Sequence, residues 1–250
     1  MTIASEYHQQ VISRLDTLAE SVESGALEPA IDLLVDALDA GGVVQAFGTG
    51  HSEAFAMEIS GRAGGLIPTT RIALRDAVLH GPRSVEELGG SAMERDPEIV
   101  EQLLAAVPVH PEDVFIIASN SGVNGSIVGM ALAVKERGHR LIAVTSMEHT
   151  MAVPVKHPSG KRLADVADVV IDNLAPFGDS TITLQDTYGV GAVSSLTAAY
   201  IAQSLTLGVT QRMLAAGKVP PLYISANRPG GDEHNRQLEA TYEGRIRTGG

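Results

Sequence analysis

The sequence predicts a doubly wound α/β fold, with a mostly parallel sheet flanked by helices. Short apolar runs of strand length alternate with segments of helical periodicity, which is typical of βαβ units. Glycine and serine follow several of these runs directly, where a helix would begin. The 250 residues suffice for one large core, so we expect a single domain over residues 1–250.

The first half of the chain begins with two amphipathic helices and then alternates between strands and helices. Apolar residues recur at helical spacing over residues 5–23 and 28–40, and Gly41-Gly42 ends the second helix. The pattern then predicts the following elements: a strand at 43–47, a helix at 52–62, a strand at 66–70, a weak helix at 86–93 and a helix at 96–104.

The second half continues the alternation. It predicts the following elements: a strand at 114–118, a helix at 124–137, strands at 141–144 and 166–171, and a final helix at 232–246. Residues 188–211 carry no charge and are numerous enough to span a bilayer. Their serine, threonine and glutamine content is too polar for easy insertion, so we expect a helix that is buried or packed on another subunit.

Composition excludes several classes of function. The chain has 18 Lys and Arg against 30 Asp and Glu, a net charge of −12, which argues against nucleic-acid and anionic-membrane partners. It has no Cys, which excludes disulfides, thiolate catalysis and cysteine-based zinc sites. The first residues, MTIASEYHQQ, lack the features of a secretory signal, so we expect a cytoplasmic protein.

Two predicted strand-to-helix turns have the chemistry of an anion site. The first turn is residues 48–52, GTGHS, and the second turn is residues 119–124, SNSGVN. A helix N-terminus offers free N–H groups, glycine permits close approach, and serine adds hydroxyl donors. We therefore expect a bound phosphate, held by the following residues: Gly50, His51, Ser52, Ser119, Asn120, Ser121, Gly122 and Asn124.

Two other interpretations of these turns were weighed. Serine, asparagine and glycine are also ordinary capping and turn residues, but two such turns on strand-helix units favour a ligand. A dinucleotide site would need a third glycine where the chain has Glu53, and no phosphate-binding loop of the nucleoside-triphosphatase type is present. We expect neither a nucleotide cofactor nor any other.

The second turn resembles the phosphosugar motif of the sugar isomerase (SIS) domain family, and the first turn is similar to its partner loop. The resemblance extends from about Val43 to Ile171 and implies a flavodoxin-like α/β fold that binds a sugar phosphate. It also implies that the two leading helices, within residues 1–41, and the uncharged late helix contact other subunits. We therefore expect a homodimer or a homotetramer.

Within that family, the segment from Gly48 to Gly65 is similar to a stand-alone SIS subgroup and to the phosphoheptose isomerases. In the latter comparison Glu58 falls on the acid/base position, whereas Ala54 occupies the place of the metal-binding histidine. No metal site is therefore expected. The stretch around Glu94 is similar to one that supplies a catalytic glutamate in N-acetylmuramic acid 6-phosphate etherases.

Further candidate residues follow from the resemblance and from position. Several SIS enzymes bring a C-terminal histidine into a neighbouring subunit's site, which makes His234 a catalytic candidate beside Glu58 and Glu94. Lys161 is a candidate for binding the phosphate or a sugar hydroxyl, and Asp179 is a polar candidate without an assigned role. His8, His110 and His139 are expected to be structural or exposed.

These residues predict an enzyme acting on a hexose 6-phosphate, most plausibly a 2-amino or 2-acetamido sugar such as N-acetylglucosamine 6-phosphate. A base removes the C2 proton. Elimination would then make the protein a dehydratase or etherase, and reprotonation at C1 would make it an aldose–ketose isomerase. A non-catalytic phosphosugar-binding regulator is the alternative of another class.

Overall fold

The computed structural model describes residues 2–185 and 187–247. Its main sheet has five strands in the order β2-β1-β3-β4-β5, and every neighbouring pair is parallel. The strands are β1 (Val44–Gly48), β2 (Thr69–Ile72), β3 (Val114–Ala118), β4 (Arg140–Thr145) and β5 (Val169–Asp172). This order is that of a flavodoxin-like doubly wound sheet, so the predicted fold class is confirmed.

Ten helices surround the strands within the described residues. They are α1 (Ile3–Glu23), α2 (Glu28–Asp39), α3 (Glu53–Ile59), α4 (Asp76–Leu79), α5 (Ala92–Arg95), α6 (Ile99–Ala105), α7 (Gly125–Glu136), α8 (Met147–Ala152), α9 (Ser194–Ala215) and α10 (Gly231–Glu239). None of the helices described here is long and apolar enough to cross a membrane.

The two faces of the sheet carry separate apolar cores. Val114 and Ile116 of β3 pack with α1, α2, α3 and α9 on one face. Phe115 and Ile117 pack with α6 and α7 on the other. Successive side chains of a strand point to opposite faces, so a continuously apolar strand buries both sides and requires helices on each.

The chain changes face between β1 and β3, which are neighbours in the sheet. After β1 it enters α3 on the first face, and after β3 it enters α7 on the second. The helix N-termini therefore diverge and leave a crevice at the carboxyl ends of these two strands. Ligands of doubly wound sheets bind at such a switch point.

Several predicted boundaries are wrong for local reasons. The strand expected at 66–70 is β2 (Thr69–Ile72), because Pro68 lacks the N–H that a strand interior uses. The helix expected at 52–62 ends at Ile59, and Gly61 has φ 70°. The strand expected at 166–171 begins at Val169, and the final helix ends at Glu239 before a short 3₁₀ turn.

The uncharged stretch at 188–211 is not one helix. It begins as the second strand of an antiparallel hairpin, β6 (Ile182–Leu184) and β7 (Tyr188–Val190), and α9 starts only at Ser194. Gly191, with φ 79°, separates the hairpin from the helix. Tyr7 of α1 donates a hydrogen bond of 2.6 Å to the Ala192 carbonyl, which fixes the junction against the first helix.

Residues 221–247, the C-terminal arm, return to the β2 side of the sheet. The Ile67 N–H donates to the Pro221 carbonyl at 2.8 Å, and Arg245 forms a 2.7 Å ion pair with Asp113. Asp113 is 3% exposed and also accepts hydrogen bonds from the Val43 N–H, the Gln45 amide and the His110 N–H. The arm thus supplies the one cation that pairs with this buried carboxylate among the described residues.

Candidate functional site

Among the helices that begin close to the carboxyl edge of the sheet, α8 and α9 are capped by side chains of the protein itself. The Ser146 hydroxyl accepts from the His149 N–H at the start of α8. The Asp179 carboxylate accepts from the Val193 and Ser194 N–H groups at the start of α9. The cap residues of α3 and α7, Ser52 and Asn124, make no side-chain capping bond. The two helix ends that flank the switch-point crevice, those of α3 and α7, are therefore left for another acceptor.

The second turn is closed tightly around its glycine. Gly122 adopts φ 63°, and its N–H donates to the Ser119 hydroxyl oxygen at 3.2 Å. A Cβ at this position would lie 3.0 Å from the Thr150 hydroxyl oxygen. Because the Ser119 oxygen already accepts that bond, its own proton remains available to a ligand. Ser121, the other hydroxyl of this turn, is half-buried.

The first turn faces the second across the crevice. Gly50 has φ 56°, and the turn continues as a short 3₁₀ helix, Gly50–Ser52, into α3. His51 is exposed, and Ser52 is half-buried. These two side chains line the crevice together with Ser119, Asn173, Ser194 and Ser195, among others. Hydroxyl and amide groups thus dominate the polar lining. Such neutral donors are suited to binding an anion through hydrogen bonds.

Glu94 joins the two turns through hydrogen bonds to both. Its Oε1 accepts from the Asn124 amide at 2.6 Å and from the Thr49 hydroxyl at 3.1 Å, and its carbonyl accepts from the Ser126 hydroxyl. Gly125 lets the backbone at Arg95 approach closely, because a Cβ there would collide with the Arg95 carbonyl. The NH₂ of Asn124 donates to Glu94, and its side chain makes no capping bond to α7.

The other two predicted catalytic residues lie away from the crevice in this chain. Glu58 is six residues beyond Ser52, about 9 Å along α3. Its side chain is 23% exposed, pairs with Arg62 and accepts from the Gln203 amide at 2.6 Å. The His234 Nε2 donates to the Leu222 carbonyl at 3.0 Å, in the C-terminal arm.

The remaining predicted candidates are placed as follows. The Asn120 side chain contacts Asn173 and His149 rather than pointing freely into the crevice. Lys161 lies exposed in the loop after α8, where its N–H contacts the Ser159 hydroxyl. Asp179, left without a role by the sequence, caps α9. The catalytic and binding roles of all these residues stay predictions.

Sequence reasoning missed three further contributors. Thr49 belongs to the first turn, yet its role depends on Glu94, which is 45 residues away. Asn173 follows β5 at the same edge of the sheet, and a polar residue directly after a strand was the signal that could have found it. His149 packs its ring on Phe177, with centroids 5.1 Å apart. Burial lowers the pKa of His149, although Asp179 nearby opposes the shift.

No cluster of three or more His, Asp or Glu side chains suited to a metal ion occurs in residues 2–185 and 187–247. The features of the crevice that are suited to an anion are the helix ends, the hydroxyls and the glycine backbone of the two turns.

A flavodoxin-like sheet with two uncapped helix ends at its switch point is a doubly wound α/β fold whose crevice is suited to an anion. Comparison with known families narrows this class: the chain belongs to the SIS domain family, which matches residues 6–146. The predicted membership of the phosphosugar-binding SIS family is thereby confirmed.

Among individual proteins, the UPF0309 protein GK1441 of Geobacillus kaustophilus is 33% identical in sequence to this chain. The similarity covers 97% of this chain and 95% of the length of GK1441. Among solved structures, a phosphoheptose isomerase from Francisella tularensis has a TM-score of 0.52 at 17% identity, over 84% of this chain and all of its own. The Vibrio vulnificus NanR protein, complexed with ManNAc-6P, has a TM-score of 0.51 at 12% identity, over 96% of this chain and 69% of its own. The two structures share the fold with this chain.

Proposed function

We propose that the protein is an enzyme that acts on a hexose 6-phosphate, most plausibly a 2-amino or 2-acetamido sugar such as N-acetylglucosamine 6-phosphate. One observation carries the proposal. The helices that flank the crevice, α3 and α7, lack side-chain caps, and a carboxylate, Glu94, is hydrogen-bonded to both turns.

The phosphate would accept hydrogen bonds from the first N–H groups of α7 and from the hydroxyls of Ser52, Ser119 and Ser121. Such a grip needs few cations, because the helix end supplies both donors and the positive end of its dipole. The NanR complex and the phosphoheptose isomerase are both named for sugar phosphates, which supports this ligand class.

Glu94 would be the base of the reaction. The crevice has room for about one water molecule, so we expect a ligand to displace side chains on binding. A phosphate at the second turn would repel the Glu94 carboxylate and compete for the Asn124 amide. Binding would thus release Glu94 from the turn and free it to meet the sugar.

The first chemical step would be removal of the C2 proton, which is acidified by the C1 aldehyde of the open-chain sugar. With a 2-acetamido group, the resulting enolate would expel the C3 substituent. The C2–C3 double bond forms as the C3–O bond breaks, and the departing hydroxide takes up the proton held by the base and leaves as water, which yields an unsaturated aldehyde. With a free hydroxyl at C2, reprotonation at C1 would give the ketose instead, and with a free amine it would give an imine that water hydrolyses to the ketose and ammonia. We favour elimination and retain isomerisation as the alternative.

Glu58 and His234 enter the proposal as groups that would act across a subunit interface. Leu207 and Leu214 on the outer face of α9 are 67% and 59% exposed, and Gln203 on the same helix contacts Glu58. A second copy packed on this face would bury them, consistent with the expected dimer or dimer of dimers. Light scattering tests this, and a monomer would remove both residues from the proposed mechanism.

Product analysis tests the function. Hexose and aminohexose 6-phosphates are screened by thermal shift, and hits are incubated with enzyme while enone absorbance and ketose formation are followed. Wild type should turn over at least one hit, Glu94→Gln should bind it without turnover, and Glu58→Gln shows whether that carboxylate also participates. Binding without turnover in wild type would favour the regulator, and full activity of Glu94→Gln would overturn the assignment of the base.

A further inference from the structure

His149, Asn120 and Asn173 form a chain of hydrogen bonds beside the second turn, which we call the amide clamp. The Asn173 Nδ2 donates to the Asn120 Oδ1 at 3.2 Å, and the Asn120 Nδ2 lies 3.4 Å from the His149 Nδ1. Asn120 is the second residue of the second turn, and Asn173 lines the crevice. The clamp therefore connects the start of α8 with the crevice wall through the second turn.

The direction of every bond in the clamp follows from one backbone group. The Ala175 N–H can only donate, and it donates to the Asn173 Oδ1 at 3.0 Å. Asn173 must then present its NH₂ to Asn120, and Asn120 must present its oxygen to Asn173 and its NH₂ to His149. The His149 Nδ1 consequently has to accept, which it can do only as a neutral imidazole with its proton on Nε2.

We propose that His149 is a positioning residue for anion binding: as a neutral acceptor it holds the Asn120 amide, and protonation of His149 opens the amide clamp and weakens binding in the crevice. A protonated Nδ1 would face the Asn120 NH₂, two donors without an acceptor between them. Rotation of the Asn120 amide relieves that conflict but creates the same conflict with Asn173 on the crevice wall.

The surroundings of His149 keep it neutral near pH 7. Burial lowers its pKa, and Lys156 from the following loop acts in the same direction. Asp179 from the turn beside Phe177 and Glu148 on its own helix act in the opposite direction. The second turn itself contributes no titratable side chain. The clamp is therefore closed at neutral pH and opens only as the solution becomes acidic.

The clamp predicts that anion binding in the crevice weakens when His149 becomes protonated, which is opposite to the effect of simple charge attraction. A cationic imidazole near an anion would ordinarily strengthen binding. Loss of one neutral hydrogen bond in the crevice wall should instead weaken binding about five-fold. The proposal rests on the proposed function only in taking the crevice as an anion site.

Nuclear magnetic resonance tests the clamp without any ligand. In wild type, the long-range ¹⁵N–¹H pattern of His149 should show the Nε2–H tautomer at neutral pH. The side-chain amide signals of Asn120 should shift with the same midpoint as the His149 ring. An Nδ1–H tautomer, or an Asn120 amide that does not respond to the His149 titration, would overturn the proposal.

Anion binding supplies the second readout, with sulfate as the probe because its charge does not change where histidine titrates, whereas that of a phosphate monoester does. In His149→Gln the amide oxygen can accept at every pH. This variant should match wild type at about pH 8, and it should bind sulfate up to about five-fold more tightly than wild type as the pH falls through the range in which His149 is protonated. His51 is present in both proteins, so its contribution cancels in the comparison.

His157→Gln is the matched control, since burial also lowers the pKa of His157 but its ring forms hydrogen bonds only with Ser159 among the described residues. It should follow wild type over the same pH range. Tighter sulfate binding by wild type than by His149→Gln at acidic pH would overturn the proposal. If neither wild type nor any variant binds sulfate, the proposal that the crevice is an anion site is refuted. The resonance titration then decides by itself whether the amide clamp exists.

Discussion

Ser119→Ala separates the ligand role of the second turn from its structural role. Ser119 is 6% exposed, and its oxygen accepts from the Gly122 N–H at 3.2 Å, so its proton is the part left for a ligand. The substitution removes the acceptor of an internal bond and the proposed donor to the phosphate at once. Two measurable losses of different size are therefore expected.

The larger loss is in binding. A hydrogen bond to a charged group contributes about 1.5–3 kcal/mol, which corresponds to about a 10-fold to 150-fold rise in the Kd for a sugar phosphate. The smaller loss is in stability. The internal bond from Gly122 contributes about 1 kcal/mol, so the Tm should fall by about 2–4 °C in a domain of this size.

Isothermal titration with N-acetylglucosamine 6-phosphate and a thermal melt of the free protein measure the two quantities. Ser24→Ala is the control, because that hydroxyl donates only to the Ser21 carbonyl at the end of α1. It should leave Kd unchanged. If Ser119→Ala binds the sugar phosphate as tightly as wild type, the second turn does not hold the phosphate and the reasoning is refuted.

Three further predictions concern the scaffold. Gly122→Ala places a side chain at φ 63° and within 3.0 Å of the Thr150 hydroxyl, so urea unfolding should show a loss of at least about 1–2 kcal/mol, and an unchanged midpoint contradicts the strain. Arg245→Ala leaves the Asp113 carboxylate buried without its cation. Because three neutral donors remain and Arg245 is partly exposed, the loss should be about 2–3 kcal/mol in the same assay, and a loss below about 1 kcal/mol contradicts it. The lowered pKa of His149 means that the unfolded chain takes up its proton first as the pH falls below the ordinary histidine value, so wild type should lose stability there relative to His149→Gln, and parallel stability curves contradict it.

The two turns and the fold class could be predicted from the sequence because their signals are local. A buried strand ends at Ala118 and is followed within four residues by Ser119 and Gly122, a combination whose backbone chemistry is suited to an anion. The alternation of strands and helices also fixes the layers of the fold.

The other features of the fold and of the candidate site depend on contacts between distant residues, which the periodicity of the sequence does not predict. The bond between Glu94 and Asn124 joins residues 30 apart, and it ties the cap residue of α7 to a carboxylate outside the turn. Asp179 closes the start of α9 from 15 residues away. The hairpin at residues 182–190 was not predicted, since two strands of three residues each give too short a pattern to recognise.

Hydrogen exchange at C2 tests the central claim most directly, because elimination and isomerisation share that step. Hexose and aminohexose 6-phosphates, N-acetylglucosamine 6-phosphate among them, are incubated with the protein in D₂O, and the C2 proton signal is followed by ¹H resonance. We predict that wild type exchanges the C2 proton of at least one of them for deuterium or converts it to product, and that Glu94→Gln does neither. Intact C2 signals with every candidate, or equal exchange by Glu94→Gln, would contradict this account of the crevice.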